Sequence, residues 1–217
     1  MKYVVTGAAG FIGSHLAEHL AAQSHEVVGV DCFTDYYDPT LKEENARGLD
    51  VQRIDLAEED LDLDGVDGVF HLAGQPGVRS FGDVFDIYVR ENLVASRRVF
   101  ETAARAGVRV VFSSSSSVYG DAETYPTPEK TEPQPISPYG ITKQGCEQLA
   151  RAYARAFGLD VVVLRYFVFY GPRQRPDMAF ARMIDALARD APFELYGVPR
   201  YTVALAFHTC EPPREIR

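Results

Sequence analysis

Tyr139 and Lys143 stand four residues apart in Ser137-Pro138-Tyr139-Gly140-Ile141-Thr142-Lys143, and a run of serines, residues 113–117, precedes them. Residues at that spacing share one face of an α-helix, so a phenol and an ammonium would address the same small volume. A free tyrosine has a pKa of about 10 and is a poor base at neutral pH. A neighbouring ammonium favours the phenolate form and draws it toward the working range. The chemistry such a pair supports is proton transfer. A Tyr-x-x-x-Lys spacing also arises by chance on helix surfaces, so other signals must agree with it.

The second signal lies at the N-terminus. Lys2-Tyr3-Val4-Val5-Thr6 reads as a short buried strand, Gly7-Ala8-Ala9-Gly10-Phe11-Ile12-Gly13 follows, and residues 14–22 carry helical periodicity. Glycines at a strand-to-helix turn let backbone approach a pyrophosphate, and the helix N-terminus presents free N–H groups. The spacing is Gly-x-x-Gly-x-x-Gly rather than the Gly-x-Gly-x-x-Gly of the better-known fingerprint. Asp31 ends the next strand, Glu26-Val27-Val28-Gly29-Val30-Asp31, eighteen residues after Gly13. An acid at about that distance hydrogen-bonds an adenosine ribose and repels a 2′-phosphate. No Arg or Lys follows Asp31 before Lys42. The expected cofactor is NAD rather than NADP, although a glycine turn and a helix-capping aspartate would leave the same residues.

These groups need a scaffold that brings them together. Beyond Asp31 comes a polar, aromatic loop, then a short helix near residues 41–47, a strand over 51–55 and an acidic linker over 62–67. A strand over 68–73, a long helix over 84–106 and a strand over 108–112 follow, with the serine run at its carboxyl end. A proline-rich loop over 125–138 leads to the helix of Tyr139 and Lys143, and a sixth strand covers 159–167. Strands alternating with helices predict an α/β, doubly wound parallel sheet of Rossmann type. Ligands of such sheets bind beyond the carboxyl ends of the strands, where the glycine loop, Asp31, the segment after Ala73 and the serine run all fall.

The chain has 217 residues, 46% hydrophobic, with a formal net charge of −9. That charge argues against a nucleic-acid partner. No apolar run reaches a membrane-spanning length, and the chain enters its first strand without a leader, so a soluble, cytoplasmic protein is expected. Cys32, Cys146 and Cys210 have no metal-ligand spacing and are odd in number. No metal is expected: His15 and His19 share a helix face without a third ligand, His71 reads as a packed strand residue, and the acids of 58–64 read as a solvated linker.

Together these segments resemble the extended short-chain dehydrogenase/reductase family, in its branch of NAD-dependent nucleotide-sugar epimerases and dehydratases. The matching motifs are Thr6 with the glycine loop, Val30-Asp31, His71-Leu72-Ala73, the serine run to Gly120, Ser137 to Lys143, and Arg165 to Asp177. Asp31-Cys32-Phe33-Thr34-Asp35-Tyr36-Tyr37, Gln75-Pro76-Gly77-Val78-Arg79 and Gly171-Pro172-Arg173-Gln174-Arg175-Pro176-Asp177-Met178 are most similar to UDP-glucuronate 4-epimerases. The resemblance implies an isomerase that oxidises C4 of a UDP-sugar to a ketone, turns it and reduces its other face. Tyr139 would remove the 4-hydroxyl proton, Lys143 would support Tyr139 and hold the nicotinamide ribose, and Ser115 would hydrogen-bond the reacting hydroxyl. Gly7, Gly10, Phe11, Ile12 and Gly13 would cradle the pyrophosphate, Asp31 the ribose and Asp55 the adenine, with Leu72, Ala73 and Asn92 along the cofactor. The UDP-sugar would meet Gly77, Val78, Arg79, Ser115, Ser116, Ser117 and Arg175. A homodimer through the helices over 84–106 and 139–157 is implied as well.

Acids in place of Ser116 and Ser117 mark relatives that eliminate or decarboxylate; serines cannot act as acids near neutral pH, which favours epimerisation. The chain also departs from the family. Val168 stands where a Thr or Asn is usual, and Gly74 and Pro76 replace alanines. After Gly197 the family pattern is lost, and residues 202–217 match none of it, so the end reads as truncated or frameshifted. The expected organisation is an NAD-binding domain over 1–176 and a remnant of the substrate-binding region over 177–217. A non-catalytic NAD-binding remnant, a 4,6-dehydratase and a UDP-glucuronate decarboxylase stay open as alternatives.

Overall fold

The computed structural model describes residues 1–78 and 81–193. Six strands form one sheet: β1 (Lys2–Thr6), β2 (Glu26–Asp31), β3 (Val51–Arg53), β4 (Gly68–His71), β5 (Arg109–Ser115) and β6 (Val161–Tyr166). All neighbouring strands pair in parallel, in the order β3-β2-β1-β4-β5-β6. The strand order reverses between β1 and β4, and a crevice opens at their carboxyl ends. This is the doubly wound sheet that the alternation of elements predicts.

The helices are α1 (Phe11–Ala22), α2 (Pro39–Asn45), α3 (Phe85–Tyr88), α4 (Ala95–Ala106), α5 (Pro138–Phe157) and α6 (Ala179–Ala188). The expected helix over 84–106 is continuous but not uniform. A 3₁₀ turn (Gly82–Val84) leads into α3, and a π-helical segment (Val89–Val94) joins α3 to α4. Such π segments often mark functional sites, and this one carries the buried Asn92. The start of α5 follows from its sequence. The Ser137 hydroxyl accepts from the Gly140 N–H at 3.1 Å, and Pro138, which has no N–H to satisfy, takes the first position. Gly158, at φ +72°, ends the helix in the left-handed conformation that glycine tolerates.

Strand β5 runs further than its apolar residues suggest. Ser113, Ser114 and Ser115 stay in the ladder, paired with Leu164, Arg165 and Tyr166 of β6. Pairing with a neighbouring strand outweighs the weak strand preference of serine. The third strand ends at Arg53 rather than 55, and the fourth at His71 rather than 73. The C-terminal segment that reads as truncated or frameshifted, residues 202–217, lies outside the described residues.

The core has two parts, one on each face of the sheet. Val4, Val69, Val110 and Phe112 meet Phe100 of α4 and Cys146 and Ala150 of α5, while Val5, Ala8, Ala17 and Leu20 fill the space under α1. The apolar side chains Ile184 and Leu187 of α6 are 62% and 75% exposed. No helix among the described residues is long and apolar enough to cross a membrane.

His71 is fully buried in this core, as a packed residue would be. The Thr6 hydroxyl accepts the Leu72 and Ala73 N–H groups, each at 3.1 Å, so its own proton is free for His71 Nδ1, 2.8 Å away. That leaves the proton of a neutral ring on Nε2, which donates to Ser96 Oγ at 3.0 Å. Burial, with the Lys143 charge as a second cause, lowers the His71 pKa to about 3. An unfolded histidine takes up its proton near pH 6.5, and the folded one does not. Between pH 6.5 and 3 this residue therefore costs the folded state about 1.4 kcal/mol per pH unit, and above pH 6.5 it costs nothing. Ring ¹⁵N shifts should report a neutral, Nε2-protonated His71 at pH 5; a ring half-protonated near pH 6.5 would refute this assignment.

Candidate active site

Helix α5 delivers Tyr139 and Lys143 to the end of β5. Lys143 is only 3% exposed, and its Nζ donates to the Ser113 carbonyl at 2.9 Å. The same ammonium lies 6.0 Å from the centre of the Tyr139 ring and 4.9 Å from that of Phe112. Ser115 closes β5, accepts from the Ser117 N–H and donates to the Ser117 hydroxyl, both at 3.1 Å. Tyr139 and Ser115 share the wall of one cleft; Lys143 sits behind that wall, against the strand.

The glycine loop forms another side of the cleft. Gly7 adopts φ +72°, and its backbone packs so close to Ala73 that a Cβ would come 2.9 Å from the Ala73 nitrogen. A Cβ on Gly13 would lie 2.1 Å from the Gly7 carbonyl oxygen. No side chain caps α1 at Gly10, and Gly10, Phe11, Ile12 and Gly13 line the cleft, so the start of the helix is available as an anion site. Asp31 ends β2, with its carboxylate accepting from the Ala9 N–H at 3.2 Å and the Phe33 N–H at 2.8 Å. It caps no helix: α2 begins at Pro39 with its own cap, Asp38. Two oxygens carry about four lone pairs, so Asp31 keeps capacity for ligand hydroxyls.

The cleft encloses about 680 Å³, within the range of small-molecule sites. Of the residues singled out in the sequence, Gly7, Gly10, Phe11, Ile12, Gly13, Asp31, Leu72, Ala73, Gly77, Val78, Ser115, Ser116, Ser117, Tyr139 and Arg175 line it. Arg79 lies outside the described residues. Asp55 and Asn92 stand behind the walls. The Asp55 carboxylate is held by Arg90 at 2.6 Å and by the Ala57 N–H at 2.9 Å. Burial raises its pKa, but those hydrogen bonds and the Arg90 charge outweigh burial and hold it below the usual carboxylate range. Asn92 accepts from the Gln75 N–H at 2.8 Å and donates to the Gln75 carbonyl and the Thr142 hydroxyl, each at 3.1 Å. It fixes the loop after β4 to α5.

Several further residues of the motifs line the cleft without a role assigned from the sequence. Tyr36 donates to Asp177 at 3.2 Å, and Arg175 pairs with the same carboxylate at 2.9 Å, so the loop after β2 is joined to the loop after β6. Burial and then the Asp31 charge push Tyr37 up to about 12, so it stays a neutral phenol. Tyr166, Phe167, Val168 and Phe169 form an apolar wall, and Val168 is 43% exposed within it. Glu147 was also missed, although it stands four residues beyond Lys143 on the same stripe of α5. It is buried, and it receives a two-pronged ion pair from Arg165 at 2.9 and 2.7 Å. Among the described residues no cluster of His, Cys, Asp and Glu could hold a metal ion.

A sequence profile of the NAD dependent epimerase/dehydratase family matches residues 3–203. The chain is 43% identical over 208 residues to the uncharacterized UDP-glucose epimerase YtcB of Bacillus subtilis (strain 168), covering 91% of this chain and 66% of that protein. It is 37% identical over 216 residues to a probable UDP-glucuronate 4-epimerase of Rhizobium meliloti (strain 1021), covering 92% and 62%. The crystal structure of UDP-glucuronic acid 4-epimerase from Bacillus cereus, in complex with UDP-glucuronic acid and NAD, superposes with a TM-score of 0.84 at 42% identity, covering 88% of this chain and 64% of that one. The chain thus spans just under two thirds of the length of these relatives.

The crowding at Gly13 predicts that Gly13→Ala forces the loop open. Affinity for an adenine dinucleotide should fall at least about tenfold by calorimetry, the loss of one good hydrogen bond or more. An unchanged affinity would remove the loop from any nucleotide site.

Proposed function

The chain belongs to the NAD dependent epimerase/dehydratase family, and on that premise we propose that it binds NAD and epimerises C4 of a UDP-sugar, converting UDP-glucuronate to UDP-galacturonate. The carrying observation is that Tyr139 and Ser115 line the same cleft as the glycine loop and Asp31, with Lys143 held behind them by the Ser113 carbonyl. The site suits the cofactor: Gly7 and Gly13 leave a cradle that a Cβ would fill, and Asp31 accepts hydroxyls while repelling a 2′-phosphate.

Bound NAD supplies a hydride acceptor, and on return a hydride donor, for sugar C4. Tyr139 takes the proton of the 4-hydroxyl as C4 loses its hydride, and returns that proton to the same oxygen once the sugar has turned and hydride has come back to the opposite face of C4. Lys143, its ammonium 6.0 Å from the centre of the Tyr139 ring, is placed to hold the nicotinamide ribose, and the Ser115 hydroxyl to orient the reacting oxygen. Ser116 and Ser117 offer hydroxyls and no carboxylate, which supports epimerisation over elimination or decarboxylation. The proposal extends to a cytoplasmic enzyme and to a pair of copies meeting through the helical stretch 84–106 and residues 139–157 of α5.

A second reading, a UDP-hexose whose sugar carries no carboxylate, is favoured by Val168. Its half-exposed apolar side chain in the cleft wall gives a sugar carboxylate nothing to bond. The B. subtilis relative is named as a UDP-glucose epimerase.

The purified 217-residue chain, given NAD and either UDP-glucuronate or UDP-glucose, should produce the C4 epimer of one of them, followed through the anomeric proton signals. Product from UDP-glucose alone would replace the first reading with the second. NAD binding without product from either would leave a cofactor-binding remnant. Tyr139→Phe should lower turnover by about 10²–10⁴-fold, the usual worth of a positioned acid–base group, with NAD affinity nearly intact. Full activity in that variant would sink the assignment of Tyr139. Asp31→Ala should narrow the preference for NAD over NADP; an unaltered preference would take Asp31 out of the site.

A further inference from the structure

Glu147 belongs to the stripe of α5 that carries Tyr139 and Lys143, and all three residues face the end of β5. It is 6% exposed and carries a charge that burial alone would penalise. Its Oε1 accepts the Ser114 hydroxyl at 2.5 Å and Arg165 Nε at 2.9 Å, and its Oε2 accepts Arg165 Nη2 at 2.7 Å. Arg165 is the residue paired with Ser114 across the β5–β6 ladder, so sheet register places the guanidinium beside that hydroxyl. Its remaining nitrogen, Nη1, donates to the Glu129 carbonyl at 3.1 Å, and its guanidinium carbon lies 4.8 Å from the centre of the Tyr119 ring. One ion pair thus joins α5, β5, β6 and the loop that runs between Gly120 and Ser137.

Ser114 sits between the two residues that matter most at this end of the sheet. The Ser113 carbonyl holds Lys143, and Ser115 lines the cleft beside Tyr139. A slide or rotation of α5 against β5 must break the Ser114–Glu147 bond and draw Lys143 off the Ser113 carbonyl. Buried ion pairs are poor sources of stability, since well-packed apolar residues in their place are often neutral or better. Two-pronged Arg–carboxylate contacts do fix geometry.

We propose that Glu147 and Arg165 are positioning residues, whose ion pair sets the placement of α5 on β5 and so holds Lys143 and Tyr139 in register with Ser115. This rests on the NAD reading above, because the end of the cofactor that Lys143 and Tyr139 would meet is the nicotinamide riboside.

The test compares NADH with ADP, which lacks the nicotinamide riboside, using the full 217-residue chain. Glu147→Gln keeps the volume and removes the charge. It should weaken NADH binding about tenfold while ADP binding stays within about twofold. Arg165→Met should give the same split, and a cooperative thermal melt with native circular dichroism will establish that each variant is folded. A folded variant that binds both ligands as the parent does, or loses both equally, would overturn the positioning role and leave the NAD reading standing. A folded parent chain that binds neither ligand would overturn the NAD reading itself, and the positioning role with it.

Discussion

Every strand of the sheet runs the same way, and that constraint organises the molecule. Parallel strands need crossover connections, so all six carboxyl ends emerge along one edge. The glycine loop, Asp31, the loop after β4 and the serines of β5 meet there because each ends a strand, not because they are near in sequence. The reversal of strand order between β1 and β4 then keeps the first crossover from covering that edge, and the cleft lies in the gap.

Beneath the cleft lies a layer of buried polar groups, each satisfied by a named partner. Thr6, His71 and Ser96 tie β1, β4 and α4 together, and Asn92 ties the loop after β4 to α5. Among the described residues no buried side-chain nitrogen or oxygen lacks a partner. Such networks are specific when complete, because any other packing strands a donor or acceptor in a medium that cannot replace it. The apolar layers of Phe100, Phe112 and the valines supply the drive to collapse. The polar layer selects the one collapsed arrangement in which the cleft has its shape.

Much of this was legible in advance. The strand–helix alternation, Gly7 to Gly13, Asp31 and the Tyr139–Lys143 spacing are local patterns, and local patterns survive in a sequence read alone. The parts that were not legible depend on partners far along the chain. The Asp55 carboxylate pairs with Arg90, thirty-five residues later, a partner that no local pattern announces. Glu147 and Arg165 look like ordinary charges of a helix and a strand until sheet register puts Arg165 beside Ser114. The serines of β5 have the composition of a turn and adopt a strand because β6 offers them a ladder. The π segment at Asn92 leaves no mark on the periodicity, since it arises from what Asn92 must bond across space.

The Arg90 knot has an electrostatic side. Arg90 is wedged among Asp55, Glu58 and Glu91, one cation against three anions, at the edge of a cleft that Glu91 and Asp31 also line. The chain as a whole carries a formal charge of −9. A dinucleotide or a nucleotide sugar, both anionic, would therefore approach against the long-range field, with short-range donors such as those of the glycine loop and of Arg175 to draw it in. Screening shortens the reach of that field to about 8 Å at physiological ionic strength and less in stronger salt. Moderate salt should accordingly speed capture of both ligands, the reverse of the behaviour of enzymes that steer their substrates by opposite charge.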